Sequence, residues 1–310
     1  MDGYIVGVGA ANVDFHGRSI APLILRDSNP GQAHTAAGGV TRNVLENLSR
    51  LGQHTVLLTA MGEDLLARYI IERCGATGVD LSQALRCPGE SSSSYMALLD
   101  ESGDMYAALS DMRILRHVTP AWLESKKELL LGAQAVVCDP CLPVETLRYL
   151  SSGVLAGVPL FADPVSTTYA RRLAPLAGGF YCLKPNLMEL GAMTGCDVST
   201  DTGMEQAAAR LLEQGTGCVV VSLGNRGCYW ADAAGRRFFR ALPPVARMVD
   251  ATGAGDAFMG GLVYSACCGM GAEESADIAL AAGRIAVSSE GAVSERMSIS
   301  EIKRVLEVVL

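Results

Sequence analysis

Lysine is scarce in this chain. Only four of its 310 residues are lysines, at positions 126, 127, 184 and 303, and the net charge at neutral pH is −8. A protein that binds nucleic acid presents a basic face to the phosphate backbone, so this composition argues against a nucleic-acid partner. A polyphosphate ligand would need a divalent metal ion and backbone amides for neutralisation, because side-chain ammonium groups are so few.

The sequence also has no long apolar run. Its longest uncharged stretch, residues 257–272, contains several glycines and is too short to cross a bilayer. The first residues lead directly into the apolar segment Tyr4–Val8, without the charged and apolar regions of a signal peptide. We therefore expect a cytoplasmic protein with no membrane partner.

Several catalytic motifs are missing. No glycine is followed by lysine, which excludes a P-loop enzyme, and the motif set of protein kinases is absent. The four histidines show no metal-ligand spacing, and no G-x-S-x-G segment marks a nucleophilic serine. These absences argue against metallohydrolases and serine hydrolases.

Ten cysteines are scattered along the chain. Six of them lie in or next to apolar runs: Cys138, Cys182, Cys218, Cys228, Cys267 and Cys268. Cys138 and Cys141 have C-x-x-C spacing, but no second pair of Cys or His stands at zinc-ligand spacing. Pro140 and Pro143 indicate a loop after a strand rather than the helix start of a thioredoxin-type motif. We expect the cysteines to be reduced and to pack as small hydrophobic side chains.

Strand and helix patterns alternate along the chain, which is typical of a mostly parallel sheet flanked by helices. The strand candidates are Tyr4–Ala11, Thr55–Ala60, Ala135–Cys138, Pro159–Ala162, Phe180–Leu183 and Cys218–Ser222. The helix candidates are Gly39–Leu51, Asp64–Cys74, Pro120–Leu131, Asn186–Met193, Met204–Glu213, Asp256–Cys268, Glu273–Ser288 and Ile299–Val309. No repeat or linker interrupts the pattern, so residues 1–310 are predicted to form one α/β domain.

Two segments depart from this alternation, at about residues 13–37 and 91–111. The first is polar and has no helical period, and the second alternates around the turn Asp100–Gly103. We predict that both belong to a small antiparallel sheet that stands off the main body and covers a ligand as a lid. The open face of this sheet could pair with a second subunit. The alternative is a set of surface hairpins with no role.

The heptad Asp250–Asp256, D-A-T-G-A-G-D, precedes an apolar helix pattern. Its small residues leave successive N–H groups free to face an anion, and the helix start adds the positive end of its dipole. The Asp256 carboxylate could then take a proton from a hydroxyl held beside that anion. Phosphoryl transfer to an alcohol needs this combination. The alternative is a glycine-rich turn in which Asp256 only caps the helix.

Polar residues near the N-terminus could hold a sugar. Gly7-Val8-Gly9 superficially matches a dinucleotide-binding turn, but the third glycine and the following helix are missing. Asn12 and Asp14, at the end of the strand, instead suit hydrogen bonds to vicinal hydroxyls. Gly38-Gly39 lets a ligand approach the backbone, and Asn43 faces the same end one helical turn later. The alternatives are ordinary turns and a solvated asparagine.

Two further strand ends carry polar residues. Asn186 and Glu189 lie three positions apart at a helix start that follows Lys184, so both side chains can reach one point. Their oxygens suit a hydrated Mg²⁺ ion, although the same pair could form a capping box. The glycine-rich loop Ser222–Gly227 follows another strand, at the edge where α/β sheets bind ligands.

The Gly-Gly pair with its asparagine, the Asn/Glu pair, the Ser-Leu-Gly loop and the heptad occur in the order seen in the ribokinase-like (PfkB) carbohydrate kinases. The chain resembles that family over essentially its whole length. The resemblance implies a Rossmann-like three-layer α/β/α sandwich with a small β lid, and ATP-dependent phosphorylation of a sugar hydroxyl. It implies that Asp256 is the base and that the amides of Gly253, Ala254 and Gly255 form the anion hole.

The same resemblance implies a set of nucleotide-binding and metal-binding residues. Those for the nucleotide are Lys184, Asn186, Ser222, Gly224, Gly227, Thr252 and Gly283. Mg²⁺ would bind near Asn186 and Glu189, largely through water, and a monovalent cation such as K⁺ could bind beside Asp250. A homodimer through the lid is also a family expectation.

Within the family, segments in and around the predicted lid resemble those of nucleoside-phosphorylating members. These segments are Asp27–Gly31, Gly38–Val40 with Arg42-Asn43, Ser93–Tyr95, Asp111-Met112 and Asp163–Ser166. The ribose of a nucleoside would then be held by Asn12, Asp14, Gly38, Gly39 and Asn43. Its base would be contacted by Asn29, Ser93 and Asp111, with Ser28 beside them. The alternatives are a kinase for ribose, a purine nucleoside or another sugar, and a catalytically silent sugar-binding protein.

Overall fold

A computed structural model describes residues 3–243 and 248–308, and these residues form fifteen strands and eleven helices. The strands are β1 (Tyr4–Val8), β2 (Asn12–Ser19), β3 (Gly31–Gly38), β4 (His54–Leu58), β5 (Ala60–Met61), β6 (Val79–Asp80), β7 (Leu85–Arg86), β8 (Ser94–Leu99), β9 (Met105–Asp111), β10 (Ala135–Cys138), β11 (Leu160–Ala162), β12 (Cys182–Leu183), β13 (Cys218–Ser222), β14 (Cys228–Asp232) and β15 (Arg237–Arg240). The helices are α1 (Val40–Arg50), α2 (Leu65–Thr77), α3 (Pro120–Glu124), α4 (Lys127–Leu131), α5 (Val144–Tyr149), α6 (Thr167–Leu173), α7 (Leu187–Thr194), α8 (Asp201–Glu213), α9 (Ala254–Cys267), α10 (Ala272–Val287) and α11 (Ile299–Glu307).

Nine strands form the central sheet, in the order β15-β14-β13-β12-β11-β10-β1-β4-β6. The pairings from β6 to β13 are parallel, whereas β14 and β15 pair antiparallel at one edge. The turn 223–227 between β13 and β14 is too short for the crossover that a parallel pair requires. The strand order reverses at β1, which lies between β4 and β10. Open α/β sheets bind ligands at the carboxyl ends of the strands beside such a reversal.

Helices cover both faces of this sheet. Successive strand residues point to opposite faces, so Val6 and Val8 of β1 join one hydrophobic core and Ile5 joins the other. The core on the Val6 side contains buried residues of α3 to α8. The core on the Ile5 side contains residues of α1, α2, α9 and α10, and α11 packs beyond α10. The predicted three-layer α/β/α sandwich is therefore confirmed.

The six predicted strands are all present, but several other elements were not predicted. Helices α5 and α6 are too short to show a clear helical period, and β14 and β15 form an antiparallel edge that the parallel pattern did not suggest. The helix predicted over residues 120–131 is two short helices, α3 and α4. They separate at Ser125, whose hydroxyl donates to the carbonyl of Trp122 at 2.6 Å and so competes with the helical hydrogen bonds.

The two segments that depart from the α/β alternation form a four-stranded sheet in the order β3-β2-β8-β9. The hairpins β2–β3 and β8–β9 are antiparallel, but β2 and β8 pair in parallel. The prediction of an antiparallel lid is thus corrected to a mixed sheet. Both hairpins leave the main body in the same direction, β2 soon after β1 and β8 after β7, so their first strands run side by side. We call these four strands the lid sheet.

Within the described ranges, the helices are all too short or too polar to cross a membrane. All ten cysteines lie in these ranges, and each has a free thiol. Cys138, Cys182, Cys218 and Cys228 are buried as predicted. Cys267 is half-buried and Cys268 is exposed, which corrects the expectation for these two. The reason is their position at the C-terminal end of α9, where the chain turns towards solvent.

Candidate active site

The Asp256 carboxylate lies in the first turn of α9, buried against the start of α1. The side-chain amide of Asn43, from the first turn of α1, donates to Asp256 Oδ2 at 2.7 Å. Burial raises the pKa of Asp256 to about 7, and the nearby Asp163 carboxylate adds to this rise. The hydrogen bond from Asn43 and the charges of Lys184 and Arg42 act in the opposite direction. Asp256 is thus a carboxylate that can accept a proton near neutral pH.

A glycine turn leads into the same helix. Gly253, the N-cap of α9, has φ 73°, and a Cβ there would overlap the carbonyl oxygen of Ala292. The N–H of Ala254 donates to the carbonyl of Ala251 at 3.3 Å. Within the described residues, the N–H groups of Gly253 and Gly255 have no backbone acceptor outside the helix. These two amides at the helix start are available to an anion.

A buried ion pair lies beneath the glycine turn. Lys184 Nζ is 2.9 Å from Asp163 Oδ2, and both side chains are almost fully enclosed. An added Cβ on Gly255 would lie 3.3 Å from Lys184 Nζ, so the ammonium group lies directly beside the turn. Burial opposes the charge on Lys184, but the carboxylates of Asp163, Glu189 and Asp256 outweigh it and raise its pKa. Lys184 therefore stays cationic beside the predicted anion hole.

Asn186 and Glu189 form a complete capping box at the start of α7. The N–H of Asn186 donates to Glu189 Oε2, and the N–H of Glu189 donates to Asn186 Oδ1, both at 2.9 Å. Burial and the Asp163 carboxylate raise the pKa of Glu189. Asn186 also bridges to Ser222 at the end of β13. The predicted nucleotide residues after β12 and β13 thus meet at the carboxyl edge of the sheet.

The remaining predicted nucleotide and ion residues lie along this edge. Gly224 and Gly227 form the turn after β13, in which the N–H of Leu223 donates to the carbonyl of Gly227 at 2.8 Å. Gly283 of α10 faces the first turn of α9, since a Cβ there would lie 3.6 Å from the carbonyl oxygen of Ala254. The N–H of Thr252 donates to Asp250 Oδ1 at 2.8 Å, which shapes the entry to the glycine turn.

The predicted ribose-binding residues meet at the base of the lid sheet. In the β2–β3 hairpin Asn12 pairs with Gly38, and the amide of Asn12 donates to Asp14 Oδ1. Burial raises the pKa of Asp14. Gly39 has φ 100°, and a Cβ there would overlap the carbonyl of Ala10, so this position requires glycine. The site therefore joins the lid base to the start of α1.

Two residues predicted to contact the base lie at the same end of the lid sheet. The Ser93 hydroxyl is buried and has no hydrogen-bond partner among the described residues. The carbonyl of Ser93 accepts the N–H of Val13 at 3.2 Å, which places it beside β2. Asp111 pairs in register with Ser94, but its carboxylate accepts two hydrogen bonds from the Arg113 guanidinium, at 2.9 and 2.7 Å. Arg113 therefore keeps the pKa of Asp111 below its usual range.

Ser28 and Asn29 are not brought to the other predicted residues. They lie in the loop at the far end of the β2–β3 hairpin, whose register runs from Asn12 at the base to Ser19 at the tip. Seven residue steps at about 3.3 Å each separate the two ends by about 23 Å. Asn29 closes its own loop, since its side chain accepts the N–H of Ile24 at 2.8 Å and donates to the Ile24 carbonyl at 2.9 Å.

A sequence profile described as pfkB family carbohydrate kinase matches residues 2–298. The chain belongs to this family. It is therefore a phosphotransferase with an alcohol group as acceptor.

Several relatives resemble this pfkB kinase along its whole length. It is 33% identical over 304 residues to a protein named pseudouridine kinase from Escherichia coli K12, covering 98% of this chain and 96% of the relative. A carbohydrate kinase from Agrobacterium tumefaciens is 27% identical and superposes with a TM-score of 0.86, covering 99% of this chain and 98% of that one. Arabidopsis thaliana ribokinase, complexed with ribose and ATP, has a TM-score of 0.87 at 24% identity, covering 99% of each chain.

The pfkB kinase also has two site carboxylates to which the sequence patterns assigned no role. Asp163 pairs with Lys184, as described above. Asp139 is buried and accepts hydrogen bonds from the N–H of Ala10 at 2.8 Å, the hydroxyl of Thr41 at 2.7 Å and the N–H of Cys141 at 2.9 Å. It thereby ties the end of β1 to the start of α1. The sequence signal that could have identified Asp139 and Asp163 is their position, since each aspartate directly follows an apolar strand.

The C-x-x-C segment of the pfkB kinase contains this Asp139. Burial raises the pKa of the Cys138 thiol, and burial together with the Asp139 charge raises that of Cys141 well above its usual range. A redox or metal-binding cysteine needs an accessible thiolate, so these two thiols are poorly suited to either role.

Proposed function

We propose that this pfkB kinase transfers the γ-phosphoryl group of ATP to the 5′-hydroxyl of pseudouridine, in the cytoplasm. The assignment of pseudouridine as the substrate rests on the similarity, over nearly the full length of both chains, to the E. coli protein named pseudouridine kinase. The site supports the reaction, because it combines a buried carboxylate with a pKa near 7, a glycine turn and a buried lysine.

In this proposal Asp256 accepts the proton of the 5′-hydroxyl as that oxygen attacks the γ-phosphorus. A bond from the 5′-oxygen to phosphorus forms, the bond from the γ-phosphorus to the β-phosphate oxygen breaks, and ADP leaves. The amides of Gly253 and Gly255 and the ammonium group of Lys184 stabilise the negative charge on the transferring group. Asn12, Asp14 and the backbone at Gly39 hold the ribose.

Kinases of this family use ATP with Mg²⁺. The donor set fits a hydrated Mg²⁺, because Glu189 Oε2 is held by the Asn186 N–H while Oε1 accepts no hydrogen bond from the described residues. The metal would neutralise phosphate charge, and Asn186 and Glu189 would hold it through water. A monovalent cation such as K⁺ is proposed beside Asp250, whose carboxylate already orders the turn at Thr252.

Pseudouridine carries its base through a carbon–carbon bond and therefore has an N1–H that uridine lacks. The buried, unpartnered hydroxyl of Ser93 and the carboxylate of Asp111 lie near the predicted ribose site and could accept such N–H groups. A site that hydrogen-bonds a substrate N–H discriminates strongly against an analogue without it, because its buried polar groups are left unpaired.

A substrate panel tests this assignment. With Mg-ATP, kcat/KM for pseudouridine is expected to exceed that for uridine by about 10²-fold or more, because only pseudouridine offers the N1–H. Formation of ADP would be measured with pseudouridine, uridine, inosine and ribose under the same conditions. Equal activity on uridine would reject the proposal that the site recognises the N1–H of the nucleobase. Higher activity on inosine or ribose would move the assignment to a purine nucleoside or sugar kinase with the same machinery.

We also propose that two copies pair through the outer face of the lid sheet. Strand register places Met96, Leu98 and Leu109 on the face of that sheet opposite to Asp14, and they are 45%, 41% and 60% exposed. They line an apolar depression of about 620 Å³. A contiguous apolar patch of this kind favours a protein interface.

Leu109→Asp is expected to turn the dimer into a monomer, because each interface would bury two new charges without partners. The mass in solution would be measured by light scattering after size-exclusion chromatography. Leu65→Asp is a matched control, since Leu65 of α2 is 75% exposed and lies outside the lid sheet. A monomeric wild-type protein, or a dimeric Leu109→Asp variant, would reject the lid interface.

A further inference from the structure

The buried face of α1 carries a row of charged side chains that leads to the active site. Arg42, Glu46 and Arg50 are spaced four residues apart, so they lie on one line along the helix. Arg42 Nη2 is 2.7 Å from Glu46 Oε2, and Arg50 Nη2 is 2.9 Å from Glu46 Oε1. Arg42 and Glu46 are buried, whereas Arg50 is partly exposed at the outer end. One guanidinium thus lies deep in the structure beside Asn43.

The inner end of this row contacts the side-chain amide of Asn43. Arg42 Nε donates to Asn43 Oδ1 at 3.2 Å, and Asn43 Nδ2 donates to Asp256 Oδ2 at 2.7 Å. A guanidinium has only donors, so it requires the amide oxygen, whereas an ionised carboxylate has only acceptors and requires the NH₂ group. The two neighbours of Asn43 therefore select the same orientation of its amide.

We propose that Arg42 is a positioning residue that fixes the amide of Asn43 so that its NH₂ group donates to the Asp256 carboxylate. This inference rests on the proposed role of Asp256 as the base. Without Arg42, the amide can rotate by half a turn and accept a hydrogen bond from the protonated carboxyl group of Asp256. That orientation stabilises the protonated form at the expense of the ionised form, which is the form that must accept the substrate proton.

The other charged groups around Asp256 cannot replace this contact. Asp163, at the end of β11, disfavours the ionised form, and Lys184, at the end of β12, is already paired with Asp163. Arg42 is the third charged group that acts on Asp256, from α1. Of these three groups, Arg42 is the one that also contacts the side-chain amide of Asn43 in the described part of the chain, so its loss affects both the charge and the hydrogen bond.

The chain offers a matched pair of variants. Arg42→Gln removes the contact with Asn43, but Glu46 keeps its partner Arg50, so no buried carboxylate is left unpaired. Arg50→Gln removes the outer ion pair and leaves the contacts of Arg42 with Glu46 and Asn43 in place. Any effect of simply weakening the row should therefore appear in both variants.

The pH dependence of kcat/KM for pseudouridine tests the proposal. Arg42→Gln is expected to lower kcat about tenfold at neutral pH. It should also move the acidic limb of the profile to higher pH by about one unit, because the ionised base loses stabilisation. Arg50→Gln should keep kcat within about twofold of wild type and leave the acidic limb in place, because Arg42 keeps its contacts with Glu46 and Asn43. Unchanged profiles in both variants, or equal shifts in both, would overturn the proposal.

A second substitution of Arg42 distinguishes loss of the positioning contact from loss of folding. Arg42→Lys keeps a charge for Glu46 but lacks the planar fork that reaches Glu46 and Asn43 at once. It should melt at the wild-type temperature and still show the shifted acidic limb, and a wild-type limb in Arg42→Lys would contradict the positioning role. Near-normal turnover of Asp256→Asn would reject the base itself. An inactive Asp256→Asn together with an unshifted Arg42→Gln would reject only the positioning role.

Discussion

Replacing Asp256 with asparagine is expected to lower kcat by about 10²- to 10⁴-fold, because the amide cannot accept the proton of the attacking hydroxyl. Wild-type kcat/KM should rise with pH through about 7, as Asp256 loses its proton. The variant should lack this rise. Steady-state rates between pH 5 and pH 9 check both expectations, and a variant with near-normal turnover would remove Asp256 from the mechanism.

The same substitution is expected to stabilise the fold at higher pH. The pKa of Asp256 is higher in the folded chain than in the unfolded one, so stability falls as pH rises from about 4 through about 7. Asparagine removes this loss, and the melting temperature of the variant at pH 8 should therefore exceed that of wild type. A variant that is inactive but more stable cannot be explained by misfolding.

Asp232→Asn provides the matched control. Asp232 is also a buried aspartate, and it accepts hydrogen bonds from the Trp230 ring and the Arg236 side chain. It ends β14 opposite Cys218, the first residue of β13, and so lies at the edge of the sheet remote from the site. Its loss should lower the melting temperature while kcat stays within about threefold of wild type.

Gly253→Ala is expected to have the second-largest effect. The new Cβ would overlap the Ala292 carbonyl, and φ of 73° is unfavourable for alanine, so the turn at the start of α9 must shift. The amides that face the transferring phosphate would then lose their alignment, which should lower kcat by about 10²- to 10³-fold. Rates with Mg-ATP and the melting temperature would be measured together.

Gly291→Ala separates backbone strain from loss of the anion hole. Gly291 has φ 80°, close to that of Gly253, but nothing lies within 4 Å of an added Cβ. This variant should lose about 1 kcal/mol of stability and keep most of its activity. If Gly253→Ala behaved in the same way, the amides of this turn would not be part of the catalytic machinery.

Much of the fold could be predicted from local sequence patterns. Alternating apolar segments and helical stripes predicted a mostly parallel sheet flanked by helices, because each of these patterns depends on residues close in sequence. The parallel pairing of β2 with β8 could not be predicted in this way, since it depends on two hairpins that leave the main body in the same direction. The short helices α5 and α6 were missed because one or two turns show no clear period.

In the candidate site, too, some features follow from local sequence and others only from the tertiary structure. The heptad Asp250–Asp256 by itself indicated a glycine turn, an anion-binding helix start and a carboxylate, because these are properties of consecutive residues. The tertiary structure alone decided the environment of that carboxylate: Asn43, which donates to it, is 213 positions away in sequence. It also paired Lys184 with Asp163 and left Asn29 at the far tip of its hairpin. Burial and charge depend on which strand ends the sheet brings together, and no local pattern contains that information.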